Sequence, residues 1–199
     1  MKKIMLLVAS LFIYAGVSAS NVEKIQFANS GKFSLGLMAG IPTTYAGDMP
    51  FVSVDGMVGI KDGFIHTNKF GDNGAIDLGL LVGYMPFNDF DYWSMPIVAR
   101  GGFHFEFVKK LDVYAGISSG VELFHWSYAN LLLEEPATEK VIKGTETNFI
   151  FGNYIGAKWH FTDLFGLKVE FARDWVGAKH ERGRAGTLPW FAGGLSFNF

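Results

Sequence analysis

The sequence predicts an all-β protein: a closed, eight-stranded antiparallel up-and-down β-barrel of the transmembrane kind. Three observations point to it. Apolar and polar residues alternate with period two in eight segments of about ten residues, the length a tilted membrane strand needs. After the N-terminal run, no apolar stretch is long enough for a transmembrane helix. The last alternating segment ends on an aromatic residue, Phe199.

The N-terminus carries Lys2 and Lys3 ahead of an apolar run, Ile4 to Gly16, too short to span a bilayer. Val17, Ser18 and Ala19 then offer small residues for cleavage. Residues 1–19 therefore read as a signal peptide and 20–199 as one barrel domain.

In the first strand Phe33, Leu35, Leu37, Ala39 and Ile41 share a face against Ser34, Gly36, Met38 and Gly40. The second sets Val52, Val54, Val58 and Ile60 against Ser53, Asp55, Met57 and Gly59. The third sets Ile76, Leu78, Leu80, Val82 and Tyr84 against Asp77, Gly79, Leu81 and Gly83. In the fourth, Ile97, Ala99, Gly101, Phe103, Phe105 and Phe107 oppose Val98, Arg100, Gly102, His104 and Glu106. The fifth alternates Val113, Ala115, Ile117, Ser119, Val121 and Leu123 with Asp112, Tyr114, Gly116, Ser118, Gly120 and Glu122. The sixth alternates Phe149, Phe151, Ile155, Ala157, Trp159 and Phe161 with Tyr154, Gly156, Lys158 and His160. Asn153 breaks its apolar face, which marks either a bulge or a contact with a partner or lipid headgroup. The seventh opposes Leu167, Val169 and Phe171 to Lys168, Glu170 and Ala172. The eighth opposes Phe191, Leu195, Phe197 and Phe199 to Ala192, Gly194, Ser196 and Asn198.

Composition narrows the environment. The 17 basic residues less Lys2 and Lys3 leave 15 against 19 acidic ones, a formal charge of −4 that argues against nucleic acid. The absence of cysteine excludes lipid attachment through a thiol, disulfide staples and thiolate metal sites. In hydrocarbon every backbone polar group needs a protein partner, so a chain rich in strands crosses only as a closed barrel. Polar faces then turn inward and apolar faces outward.

Connections alternate accordingly. Residues 108–111 and 162–166 read as tight periplasmic turns, while 126–146 and 177–188 read as long, polar external loops, with shorter ones at 42–50 and 86–94. The stretch 61–74 is long for a periplasmic turn and extends its flanking strands into a hairpin. Tyr84, Phe87, Phe90, Tyr92, Trp93, Phe124, Trp126, Tyr128, Trp175 and Trp190 read as an outer aromatic girdle. Phe107, Trp159, Phe161, Phe165 and Phe199 read as the inner one.

The stretches Gly102–Gly116, Tyr154–Asp163 and Gly193–Phe199 resemble small outer-membrane barrel proteins of the Bacteroides group, within the OmpA-, OmpX- and OmpW-like barrels. The resemblance spans nearly the whole mature chain and implies an outer-membrane, porin-like architecture in a Gram-negative cell envelope. It implies no shared reaction. The ending Leu195, Phe197, Phe199 resembles the signal read by the barrel-assembly machinery, which pairs with an exposed edge strand.

Candidate functional residues follow from these faces. Asp55, Asp77, Arg100, His104, Glu106, Glu122, Lys158, His160, Lys168 and Glu170 face inward, where burial demands pairing, so a salt-bridged, partly hydrated plug is expected rather than a wide pore. His104 and His160 stand on strands separated by another strand and do not by themselves establish a metal site; no metal or cofactor is expected. His125-Trp126-Ser127 is similar to the His-x-Ser arrangement of lipid A deacylases, with Glu139 or Glu135 to orient the histidine and the lipid-facing side expected for His125 and Ser127. Tyr128 departs from the asparagine that family carries next. Lys179, His180, Arg182 and Arg184 form a basic loop suited to lipopolysaccharide phosphates.

The expected function is a non-enzymatic envelope or surface-binding barrel. Its expected partners are membrane lipid, lipopolysaccharide and the assembly machinery, and it is expected to be a monomer. A lipid A hydrolase and a narrow conduit for small hydrophobic solutes stay open as alternatives.

Overall fold

In the computed structural model, residues 30–42, 50–67, 71–87, 92–132, 138–177 and 186–199 are described. The strands are β1 (Phe33–Pro42), β2 (Phe51–Thr67), β3 (Gly71–Phe87), β4 (Tyr92–Val108), β5 (Leu111–Leu132), β6 (Thr138–His160), β7 (Phe165–Gly177) and β8 (Gly186–Asn198). Each pairs antiparallel with the next, and β1 pairs with β8 to close the ring. Reciprocal hydrogen bonds between Phe33 and Phe199, at 3.2 and 2.8 Å, finish the seam. Closure leaves no sheet edge around the wall, so its backbone needs no solvent.

The polarity of the wall is inverted relative to a soluble barrel. Leu80 and Ile117 are each 60% exposed on the outside, while Glu106 and Glu122 are 0% exposed inside. An exposed apolar belt around a charged interior is stable only where the surroundings are themselves apolar.

Connections at the end carrying the termini are short: Lys109–Lys110 between β4 and β5, and 161–164 between β6 and β7. Lys110 takes the left-handed backbone conformation (φ 75°) that this tight reversal requires, and its ammonium donates to the Phe161 carbonyl. Between β2 and β3 the strands run on to Thr67 and Gly71, so 61–74 is a hairpin extending the wall. Register shifts at Gly59/Lys61 and Asp62/Ile65, with Gly63 and Gly74 at positive φ, bend it. Phe64 packs against Phe103 on its flank.

At the other end the strands run further than expected: β3 and β4 stay paired to Phe87 and Tyr92, inside the expected loop 86–94. Residues 126–146 are mostly strand rather than loop: β5 and β6 stay paired to Leu132 and Thr138. Among the described residues, pairing of β4 with β5 stops at Trp93–His125 while β5 and β6 stay paired for seven residues more, about 23 Å of hairpin. Val141, Ile142 and the aromatic residues of this segment supply strand propensity that overrides its polar composition.

Candidate functional site

The barrel interior is the most highly organised polar site, and the wall's alternation builds it. Arg100 on β4 donates to Glu170 on β7 at 2.6 Å, across the lumen. Lys168, two residues earlier on β7, meets Asp55 on β2 at 2.8 and 2.9 Å and Glu170 at 3.4 Å. The Tyr114 hydroxyl donates to Glu170 at 3.0 Å, and the Arg100 guanidinium lies 3.5 Å over the Tyr154 ring. Thus β2, β4, β5, β6 and β7 are tied through one ion network.

Glycine makes room for its aromatic members. Tyr114 pairs across β5 and β6 with Gly156, and Tyr154 with Gly116. A Cβ at either glycine would overlap the facing tyrosine ring. Each ring therefore lies flat over a glycine and reaches the charges at the centre.

Nearer the termini, His104 bridges two carboxylates, with Nε2 at 2.8 Å from Asp77 and Nδ1 at 2.8 Å from Asp112. Asn73 donates to the Glu106 carbonyl and accepts from its amide. Asn198 and His160 meet at 3.1 Å. Lys158 lies 5.4 Å from the Tyr114 ring centroid. Toward the opposite end, Glu122 accepts from Ser94 and Asn148, and Asp174 accepts from Trp190 and Ser118. Between these pairs and the central ions packs a cluster of apolar side chains that includes Phe51, Leu81, Met85, Val98, Ile150 and Trp190. Two spaces within the lumen measure about 10 Å³ each, enough for roughly one water.

The structure therefore brings together Asp55, Asp77, Arg100, Lys158 and Glu170 as lumen neighbours, with Glu106 and Glu122 toward the two ends. Sequence reasoning did not single out Asp112, Asp174, Tyr114, Tyr154, Ser94, Asn73 or Asn148 as network members. Asp112 and Tyr114 share the inward parity of Glu122, which is the signal that finds them.

Of the expected outer-girdle residues, Trp190 and Phe124 turn inward instead and Trp126 shares the Phe124 face, over Gly144, while the side chains of Phe87, Phe90, Tyr92 and Tyr128 lie outside the described residues. Trp190 is buried, packing on Phe51 with ring centroids 4.9 Å apart and donating its indole N–H to Asp174 at 2.9 Å. Phe124 is buried on the same face as Glu122. Even parity decides both. Tyr84 and Trp175 do face outward, as do Phe107, Trp159, Phe161 and Phe199.

The candidate hydrolase residues are less well assembled. His125 and Ser127 share a face of β5, but the His125 ring bonds Thr145 on β6 at 3.0 Å and stacks on Trp93. Ser127 is buried rather than open to lipid. Glu139 pairs with Leu131, six residues beyond His125 and about 20 Å along the strand, too far to orient the imidazole. Glu135, Lys179, His180, Arg182 and Arg184 lie outside the described residues, as do residues 1–29. Among the described residues no cluster suited to a metal ion occurs.

With eight strands, a closed ring and an ion-filled lumen, the chain has the fold of the small outer-membrane β-barrels. No protein-family model matches the sequence, and no curated protein does. Solved structures do match the fold. A major outer membrane protein from Thermus thermophilus aligns with a TM-score of 0.53 at 12% identity, over 84% of this chain and 99% of that one. Neisserial surface protein A aligns with a TM-score of 0.50 at 12% identity, over 84% of this chain and 95% of that one.

Proposed function

We propose that this protein is an integral outer-membrane barrel, exported through a cleaved signal peptide, with a non-enzymatic role in envelope support or surface-loop binding. One observation carries the reading: the charged residues are buried within the ring while the aliphatic residues are exposed around it. The termini lie on the periplasmic side, because the short turns share their end, and the β5–β6 hairpin stands outside the cell. Phe199, Phe197 and Leu195 serve as the assembly signal. The barrel functions as a monomer in lipid and lipopolysaccharide, and the basic residues Lys179, Arg182 and Arg184 meet phosphates above it.

The test is fractionation of expressing cells with alkaline extraction and N-terminal sequencing. The reading expects the protein in the outer-membrane pellet, beginning at Ser20. Recovery in the soluble periplasmic fraction would refute it. A packed lumen also supports silence in planar bilayers, where repeated discrete conductance steps would favour the conduit instead.

A further inference from the structure

We propose that Arg173, Asn153 and Trp175 form a site on the outer wall for the phosphate of an outer-leaflet glycolipid. The proposal rests on the reading of the chain as an outer-membrane barrel with its hairpin end outside. Asn153 and Arg173 are direct cross-strand partners on β6 and β7, and both are exposed on the apolar wall. Register runs unbroken through Asn153 on both sides, so no bulge explains its polarity. Its direct neighbours on that face are Ile117, Phe151 and Ile155; those of Arg173 are Phe171, Trp175 and Pro189. A guanidinium and an amide thus stand side by side in a hydrophobic belt.

Depth identifies what they meet. Arg173 lies eight residues along β7 from Phe165, about 26 Å of strand, which at a tilt near 40° is about 20 Å of height. The apolar band of such barrels is about 25 Å tall, so Arg173 sits just inside its outer edge, within side-chain reach of lipid phosphates. Its guanidinium carbon is 5.6 Å from the Trp175 ring centroid, and Trp175 in turn stacks on Phe151. That contact steadies a planar fork able to hold phosphate in a bidentate manner, and Asn153 supplies a further donor. Charge complementarity selects an anionic headgroup, and the outer depth selects a phosphorylated glycolipid over inner-leaflet phospholipid.

The test is native mass spectrometry of the full chain in nanodiscs. The probes are bis-phosphorylated lipid A, dephosphorylated lipid A and phosphatidylglycerol, compared between wild type, Arg173→Gln and Arg173→Gln/Asn153→Ala. Folded-band mobility on gels verifies that each variant forms the barrel. The wild type should retain lipid A about tenfold more strongly than Arg173→Gln, and dephosphorylated lipid A should bind as weakly to both. Equal retention by wild type and variant overturns the site. Equal retention of phosphatidylglycerol overturns the glycolipid as its occupant. A dimer present only with Arg173 assigns the surface to a second copy and likewise overturns the proposal. Wild type that fails to insert overturns the barrel reading as well, whereas insertion with indifference to lipid A overturns the site alone.

Discussion

Removing the Glu170 carboxylate should be among the most damaging single changes in the lumen. In Glu170→Ala, Lys168 keeps Asp55 at 2.8 and 2.9 Å, but Arg100 loses its 2.6 Å partner in a site where its side chain is 2% exposed. Stranding one buried charge costs about 3–5 kcal/mol, to which the orphaned Tyr114 hydroxyl adds about 1 kcal/mol. Glu170→Gln retains an acceptor and should lose about half as much. Replacing both ions with leucine, Arg100→Leu/Glu170→Leu, removes the stranded charge and should return stability to within about 2 kcal/mol of wild type. Urea titration of the barrel in lipid vesicles, followed by tryptophan fluorescence, measures all four proteins. A loss below about 1 kcal/mol for Glu170→Ala would refute the network's energetic role, as would a double variant destabilised by the sum of the singles.

Other substitutions probe other parts of the molecule. Gly156→Ala puts a methyl into the space of the Tyr114 ring and should cost about 1–3 kcal/mol in the same titration, with Gly193→Ala, whose methyl meets only a carbonyl oxygen at 3.8 Å, near neutral. Phe199→Asp removes the ring stacked on Phe33 at the seam and should sharply lower outer-membrane levels; unchanged levels would sink the assembly-signal idea. Leu80→Arg, in mid-belt, should cost about 2–4 kcal/mol in a bilayer, whereas a water-facing wall would tolerate it. Lipid A from cells expressing wild type and the His125→Ala/Ser127→Ala variant should give identical mass spectra. Loss of an acyl chain only with wild type would establish a hydrolase despite the separation of Glu139.

Much of the wall was legible because strand parity is a local property. Every residue from Phe33 to Ile41 keeps the face its alternation assigns, and Asp55, Arg100 and Glu170 turn inward by the same rule. What parity cannot give is the partner across the lumen: Arg100 and Glu170 are seventy residues apart in sequence, and only barrel closure and stagger bring them together. Strand ends were also less legible. Polar residues such as Lys140, Lys143 and Glu146 read as loop, yet continued cross-strand pairing keeps them in the β5–β6 hairpin. Trp190 illustrates a different failure. Its residue type favours an interface, but parity and an indole N–H within reach of Asp174 place it inside. For His125 and Ser127, spacing showed a shared face, and the separation of Glu139 from them became apparent only from the β6 register.

If lipid surrounds the wall and the packed lumen holds little water, probe accessibility must alternate along each strand. Because the chain has no cysteine, single spin labels can be introduced along β3 from Asp77 to Gly83 without background. Labels at 78, 80 and 82 in the reconstituted barrel should be accessible to oxygen and shielded from a water-soluble nickel complex. Those at 77 and 81, where a side chain already points into the lumen, should be shielded from both, so access alternates between the two faces. Ready access of the nickel complex to 78, 80 and 82 would contradict the account and indicate a water-facing wall.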